Sequence, residues 1–107
     1  MTIDESGFET LAEQWLERLS RALEAASDDI DVELLGGVLT AELEDGRTFV
    51  LNKHAPLRQL WLSSPLSGAS HFDHAEGSWR STRGGRDLAS TLVEDFARAG
   101  IVLDLER

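Results

Sequence analysis

Over residues 5–26 apolar side chains recur every third or fourth position: Phe8, Leu11, Ala12, Trp15, Leu19, Ala22, Leu23 and Ala26. At about 100° per residue these fall within an arc of about 120°, which predicts one amphipathic helix. Asp4 or Ser6 is placed to cap its first turn. From Asp31 the period drops to two. Val32 and Leu34 alternate with Asp31 and Glu33, predicting a strand over 31–35 with one apolar face. Gly36-Gly37 and Asp45-Gly46 mark turns, the second a strong hairpin signal. Strands over 38–43 and 47–52 flank it and direct Leu39, Ala41, Leu43, Phe49 and Leu51 inward. Further strands are expected at 57–63, 70–73 and 78–81, interrupted by the run Ser64-Pro65-Leu66-Ser67-Gly68 and by Glu76-Gly77. A second helix over 86–99 buries Leu88, Leu92, Val93 and Phe96 and stops at Gly100. Its acids Glu94 and Asp95 read as ordinary surface charges. The apolar tail 101–105 docks on the body, and Trp15 and Trp79 are expected in the core.

Helix, strands on short turns, helix: hairpin-length links imply antiparallel pairing, and two amphipathic helices need one sheet face to cover. The fold class expected is α+β, a two-layer sandwich with an antiparallel sheet and the N- and C-terminal helices packed on one face. The opposite face of the sheet then meets solvent or a partner. A chain of 107 residues fits a single domain, residues 1–107. Within the strand 57–63, Leu60 and Leu62 facing inward turn Trp61 outward with Gln59. That placement is unusual for tryptophan and suits a recognition surface.

Composition narrows the chemistry. With no cysteine, disulfides, thiolate metal sites and cysteine nucleophiles are excluded. The acidic N-terminal residues do not read as a signal or transit peptide, and no apolar run approaches membrane-spanning length. A cytoplasmic protein with no membrane partner is expected. The net charge of −10 is unevenly placed: residues 1–45 hold thirteen acids against Arg18 and Arg21. Such a surface repels phosphate backbones, so no nucleic-acid partner is expected, whereas cations or a basic protein suit it.

The acids are also patterned. Glu9, Glu13, Glu17 and Glu24 share one flank of the first helix within roughly 80°, with Arg18 and Arg21 on the other side. Asp28, Asp29, Asp31 and Glu33 continue the run into the first strand. Exposed carboxylates are hard oxygen donors that suit Fe²⁺, Fe³⁺, Mn²⁺, Ca²⁺ or Mg²⁺ without strong selection among them. On a convex surface they predict weak, multiple, salt-sensitive sites. Other motifs carry less. In His71-Phe72-Asp73-His74, a strand points His71 and Asp73 one way and His74 the other. Ser63-Ser64-Pro65 lacks a paired base, and Arg83-Gly84-Gly85-Arg86 is most simply a turn.

The segments FETLAEQWL, GVLTAEL, FVLNKHAPLRQLWLSSP, HFD and Gly77-Ser78-Trp79, with the second helix and the L-D-L tail, resemble the frataxins, nearest the short bacterial CyaY type. The resemblance covers nearly the whole chain and implies the sandwich fold derived above. It further implies an iron-binding regulator of iron–sulfur cluster assembly, acting on a cysteine desulfurase and its scaffold protein. The family's acidic ridge carries over to Glu9, Glu13, Glu17, Glu24, Asp28, Asp29, Asp31 and Glu33 as metal ligands. Its exposed sheet surface carries over to Asn52, His54, Gln59, Trp61 and His71 as partner-binding residues. The sequence departs from the family pattern in Arg18 and Arg21, which dilute the ridge, and in His54, where glutamine is frequent.

The leading expectation is therefore a binding regulator without catalytic residues, monomeric, with iron-dependent oligomers as the alternative. A second reading from a different class is an iron-oxidising or iron-storing protein. A third is an acidic interaction domain that uses its sheet face and ignores iron.

Overall fold

The computed structural model describes residues 4–105. The chain runs α1 (Glu5–Ala26), β1 (Asp31–Leu35), β2 (Val38–Glu42), β3 (Thr48–His54), β4 (Gln59–Ser64), β5 (Gly68–Ala75), β6 (Ser78–Ser81) and α2 (Leu88–Arg98). The six strands form one sheet in chain order, every neighbouring pair antiparallel. Both helices cover the same face, α1 over β1 and β2 and α2 at the β6 end. This is the two-layer α+β sandwich expected from the alternating periods.

Asp4 caps α1, accepting the Gly7 amide at 2.6 Å, and Asp87 caps α2 by accepting from Ser90. Each cap satisfies an amide that the first helical turn leaves without an internal partner. The buried stripe of α1 is Phe8, Ala12, Leu16, Leu19 and Leu23. Leu16, which the sequence pattern passed over, lies in it, while Trp15 is only partly buried against the core. Leu39, Ala41, Leu43, Phe49, Leu51, Leu60, Leu62 and Phe72 supply the inner sheet face, with Trp79 beside them. From α2 come Leu88, Leu92 and Phe96, the last stacked on Phe49 at 4.1 Å between ring centres. Val93 is only partly buried. In the tail, Leu103 and Leu105 are buried and Val102 faces solvent.

Two local differences have clear causes. β4 starts at Gln59 rather than residue 57, because residues 55–58 make the turn from β3. There Arg58 adopts a left-handed backbone with φ of 53° and its amide bonds Ala55 O, leaving Leu57 exposed. β5 is longer than expected, since its ladder with β4 extends to the Ser64–Gly68 pair.

Asp95 corrects the reading of α2 as a helix with solvated acids. It has no exposed surface. Its Oδ2 accepts from Ser64 Oγ at 2.8 Å and Ser67 Oγ at 2.5 Å, tying α2 to the β4–β5 turn. The guanidinium groups of Arg86 and Arg98 each stand 4.0 Å from its Oδ1. Ser64 Oγ in turn accepts the amides of Leu66 and Ser67, so one hydroxyl links the turn to the helix.

Candidate binding surfaces: an acidic edge and an aromatic sheet face

On the sheet face turned away from the helices, the ladders align Leu35, Val38, Asn52, Trp61 and His71 across five strands. With neighbouring strands about 4.8 Å apart, this row spans about 19 Å. The adjacent row holds His54, Gln59, Asp73 and Arg80. All five residues expected on the outer surface are thus together there. Trp61 is half-buried, but by neighbours on its own face and not by a helix.

Those neighbours are specific. The Trp61 indole lies between two imidazoles, His54 at 3.9 Å with 5° between planes and His71 at 4.2 Å with 9°. The indole N–H donates to Gln59 Oε1 at 2.8 Å, and Gln59 Nε2 donates to Asp73 Oδ1 at 3.0 Å. Because a carboxylate only accepts, it orients the Gln59 amide, leaving the amide oxygen for the indole. The ring is thereby fixed on both faces and at its polar edge, a pre-ordered aromatic anchor. Sequence reasoning placed Asp73 on this side of β5 without assigning it a role. It overlooked Leu35 and Val38, 73% and 39% exposed. The period-two pattern carried that signal, since Leu35 falls in phase with Asp31 and Glu33.

The acids spread along one edge instead of converging. Asp31 and Glu33 are exposed on β1, in phase with Leu35 and therefore on the same sheet face as Trp61. Asp28 and Asp29 occupy the exposed turn after α1, where Ser27 Oγ accepts the Asp29 amide. Glu24 is exposed. Glu17 lies 4.0 Å from Arg21, so the flanks of α1 are less segregated by charge than their helical angles implied. Glu9 and Glu13 both accept from Lys53 Nζ, the latter at 3.1 Å. Among the described residues no three His, Asp or Glu side chains are grouped to hold a metal ion. The donor set is therefore pairs or single carboxylates, which fit a hard cation whose remaining positions are filled by water.

Lys53 sits at the end of the inward-facing series Phe49, Leu51, Lys53 and reaches across to α1. Its ammonium is held above the usual lysine range, chiefly by the hydrogen bond to Glu9, against the opposing effect of burial. A lysine with a raised folded-state pKa contributes stability that is fully present below the unfolded value and lost as pH climbs through the folded one. Lys53→Met is thus expected to lower the urea midpoint by a constant amount across the neutral to mildly alkaline range, below the unfolded lysine value of 10.5. The difference from wild type should shrink on the alkaline side, as followed by circular dichroism at several pH values.

A family model described as a frataxin-like domain matches residues 1–100. The chain belongs to the frataxin family. It is similar to the iron–sulfur cluster assembly protein CyaY of Dechloromonas aromatica, 40% identical over 105 residues, covering 94% of this chain and 99% of that one. Among solved structures it matches frataxin from Psychromonas ingrahamii with a TM-score of 0.87 at 27% identity, covering 98% and 100% of the two chains. It also matches a trimeric frataxin from the yeast Saccharomyces cerevisiae, complexed with ferrous iron, with a TM-score of 0.69 at 40% identity, over 92% and 88%. Within this frataxin the acidic edge and the Trp61 face meet at β1. No helix among the described residues is long and apolar enough to cross a membrane.

Proposed function

We propose that this frataxin is an iron-binding regulator of iron–sulfur cluster assembly that docks on a cysteine desulfurase–scaffold complex through its acidic ridge and exposed sheet surface. The observation that carries this reading is the continuity of the two surfaces. Asp31 and Glu33 share a sheet face with Asn52 and Trp61, so one partner can meet charge and aromatic surface together. A dense negative edge steers a basic partner and weakens as salt screens it. The pre-ordered indole, amides and imidazoles beside it supply the short-range contact on which binding energy concentrates. The names of its relatives support the same pathway.

Iron is cargo in this reading, held weakly by ridge carboxylates with water completing the shell. The protein acts by binding, not as an enzyme: apart from Glu9 and Glu13, which Lys53 engages, its candidate ligands are exposed carboxylates open to water.

Charge reversal tests the docking. Glu13→Lys with Glu17→Lys is expected to weaken desulfurase binding on the order of tenfold at low salt, with the loss shrinking as salt is raised. Reversing Glu76 and Asp104, two exposed acids outside the ridge, should change it less than about twofold. Equal losses from the two pairs, measured by calorimetry, would refute docking through the ridge. Reconstituted cluster assembly with and without the protein, at two iron concentrations, tests the regulatory role.

A further inference from the structure

The ridge is not uniformly open. Lys53 is only 18% exposed in its side chain, and its ammonium bonds Glu9 and Glu13 at once. The stem is confined as well. Gly37 has a left-handed backbone, φ 77°, and a Cβ there would stand 2.8 Å from Lys53 Cε. The Lys53 amide also donates to Gly37 O at 2.9 Å, holding β3 against the β1–β2 turn. The glycine therefore leaves the channel along which the lysine stem reaches α1. Farther along the ridge the pairing loosens: Glu17 and Arg21 are 4.0 Å apart, with 59% and 72% of their side chains exposed. An open groove of about 440 Å³, lined by Glu13, Glu17, Leu34, Gly36, Gly37 and Lys53, lies between the two regions.

We propose that Lys53 is a resident counter-cation that closes the Glu9–Glu13 end of the ridge to divalent cations. The ridge then loads from Glu17 towards β1, and Glu9 and Glu13 take up metal only when Lys53 is displaced. An incoming cation at this end meets two carboxylates that each already bond one oxygen to a partly desolvated ammonium, whose charge opposes it, whereas at Asp31 or Glu33 it meets no such counter-charge among the described residues. The inference rests on the reading of the ridge as a cation-binding surface.

The test uses Mn²⁺ as the probe and follows the side-chain carboxyl ¹³C resonances of the full chain. In Lys53→Met the Glu9 and Glu13 signals are expected to broaden at Mn²⁺ concentrations on the order of fivefold lower than in wild type, the effect of one unit charge at contact distance in water. The Asp31 and Glu33 signals should broaden at unchanged concentrations. Lys53→Arg, which keeps the charge, should stay closer to wild type than Lys53→Met does. Gly37→Ala gives a second route, because the added Cβ obstructs the lysine stem and leaves its charge in place; its Glu9 and Glu13 signals should shift in the same direction as in Lys53→Met. If Glu9 and Glu13 broaden at the same concentration in wild type and in the folded variants while Asp31 and Glu33 respond, the counter-cation role is wrong and the metal-binding ridge stands. If no carboxylate broadens in any of the proteins, both ideas fail.

Discussion

Asp95→Ala is expected to lower the unfolding free energy by about 3 kcal/mol, the largest stability effect among the charged side chains described. The carboxylate has no exposed surface and accepts two hydroxyl donors, from Ser64 and Ser67. A hydrogen bond to a charged acceptor contributes about 1.5–3 kcal/mol, and both are lost together. Truncation also leaves the buried Ser64 hydroxyl without an acceptor, and Arg86 and Arg98 without the charge that they flank. Both hydroxyls donate to the same oxygen, Oδ2, so Asp95→Asn can keep both bonds on its amide oxygen while giving up the charge, and should lose less than half as much. Urea denaturation followed by circular dichroism gives both values. An unchanged slope with a lower midpoint would place the effect in the native state. If Asp95→Ala lies within about 0.5 kcal/mol of wild type, the tie between α2 and the β4–β5 turn has been overrated.

Trp61→Ala carries the largest expected effect on function. The indole is an aromatic anchor set among polar side chains, with Leu35 and Val38 at the far end of its row, and truncating such an anchor at the centre of an interface costs about 2 kcal/mol or more, roughly a thirtyfold loss of affinity. Folding should suffer less, about 1 kcal/mol, because Trp61 is half-exposed and contributes stacking rather than core packing. The two readouts together are diagnostic: calorimetric binding to the desulfurase falls sharply while the urea midpoint moves little. Trp61→Phe separates the ring from its N–H. It keeps the stack between His54 and His71 but gives up the bond to Gln59, so it should recover part of the affinity. Wild-type binding by Trp61→Ala would remove the sheet face from the proposed interface.

Much of the scaffold was legible because its signals are local. The stripe of α1, the alternation in β1 to β4, the Asp45-Gly46 turn and the stop at Gly100 each depend on residues within a few positions of one another. Alternation alone turned Trp61 and Gln59 away from Leu60 and Leu62; Asn52 and His71 were expected on that surface from the family resemblance, and the strand register sets them beside Trp61. Errors fell where a local pattern met a longer-range choice. Leu57 reads as the start of a strand, but the turn that reverses the chain at residues 55–58 takes it. Asp95 reads as a surface acid beside Glu94, and nothing nearby in sequence reveals that Ser64 and Ser67 lie about thirty positions away as its partners.

The ridge shows the same division. Its composition and its run from Glu9 to Glu33 are written in the chain, and so is the family to which the motifs point. Its availability is not. Lys53 pairs with Glu9 and Glu13 from 44 and 40 positions away, across a channel that exists because Gly37 has no side chain. The sequence alone determined the periods, hence the sandwich, the outward tryptophan and the acidic edge, since each follows from which residues share a face. Tertiary structure alone decided which charges are paired, which are buried and how the indole is clamped. Those depend on distances between segments that only the packed sheet and helices bring together, and electrostatic and stacking energies fall steeply with such distances.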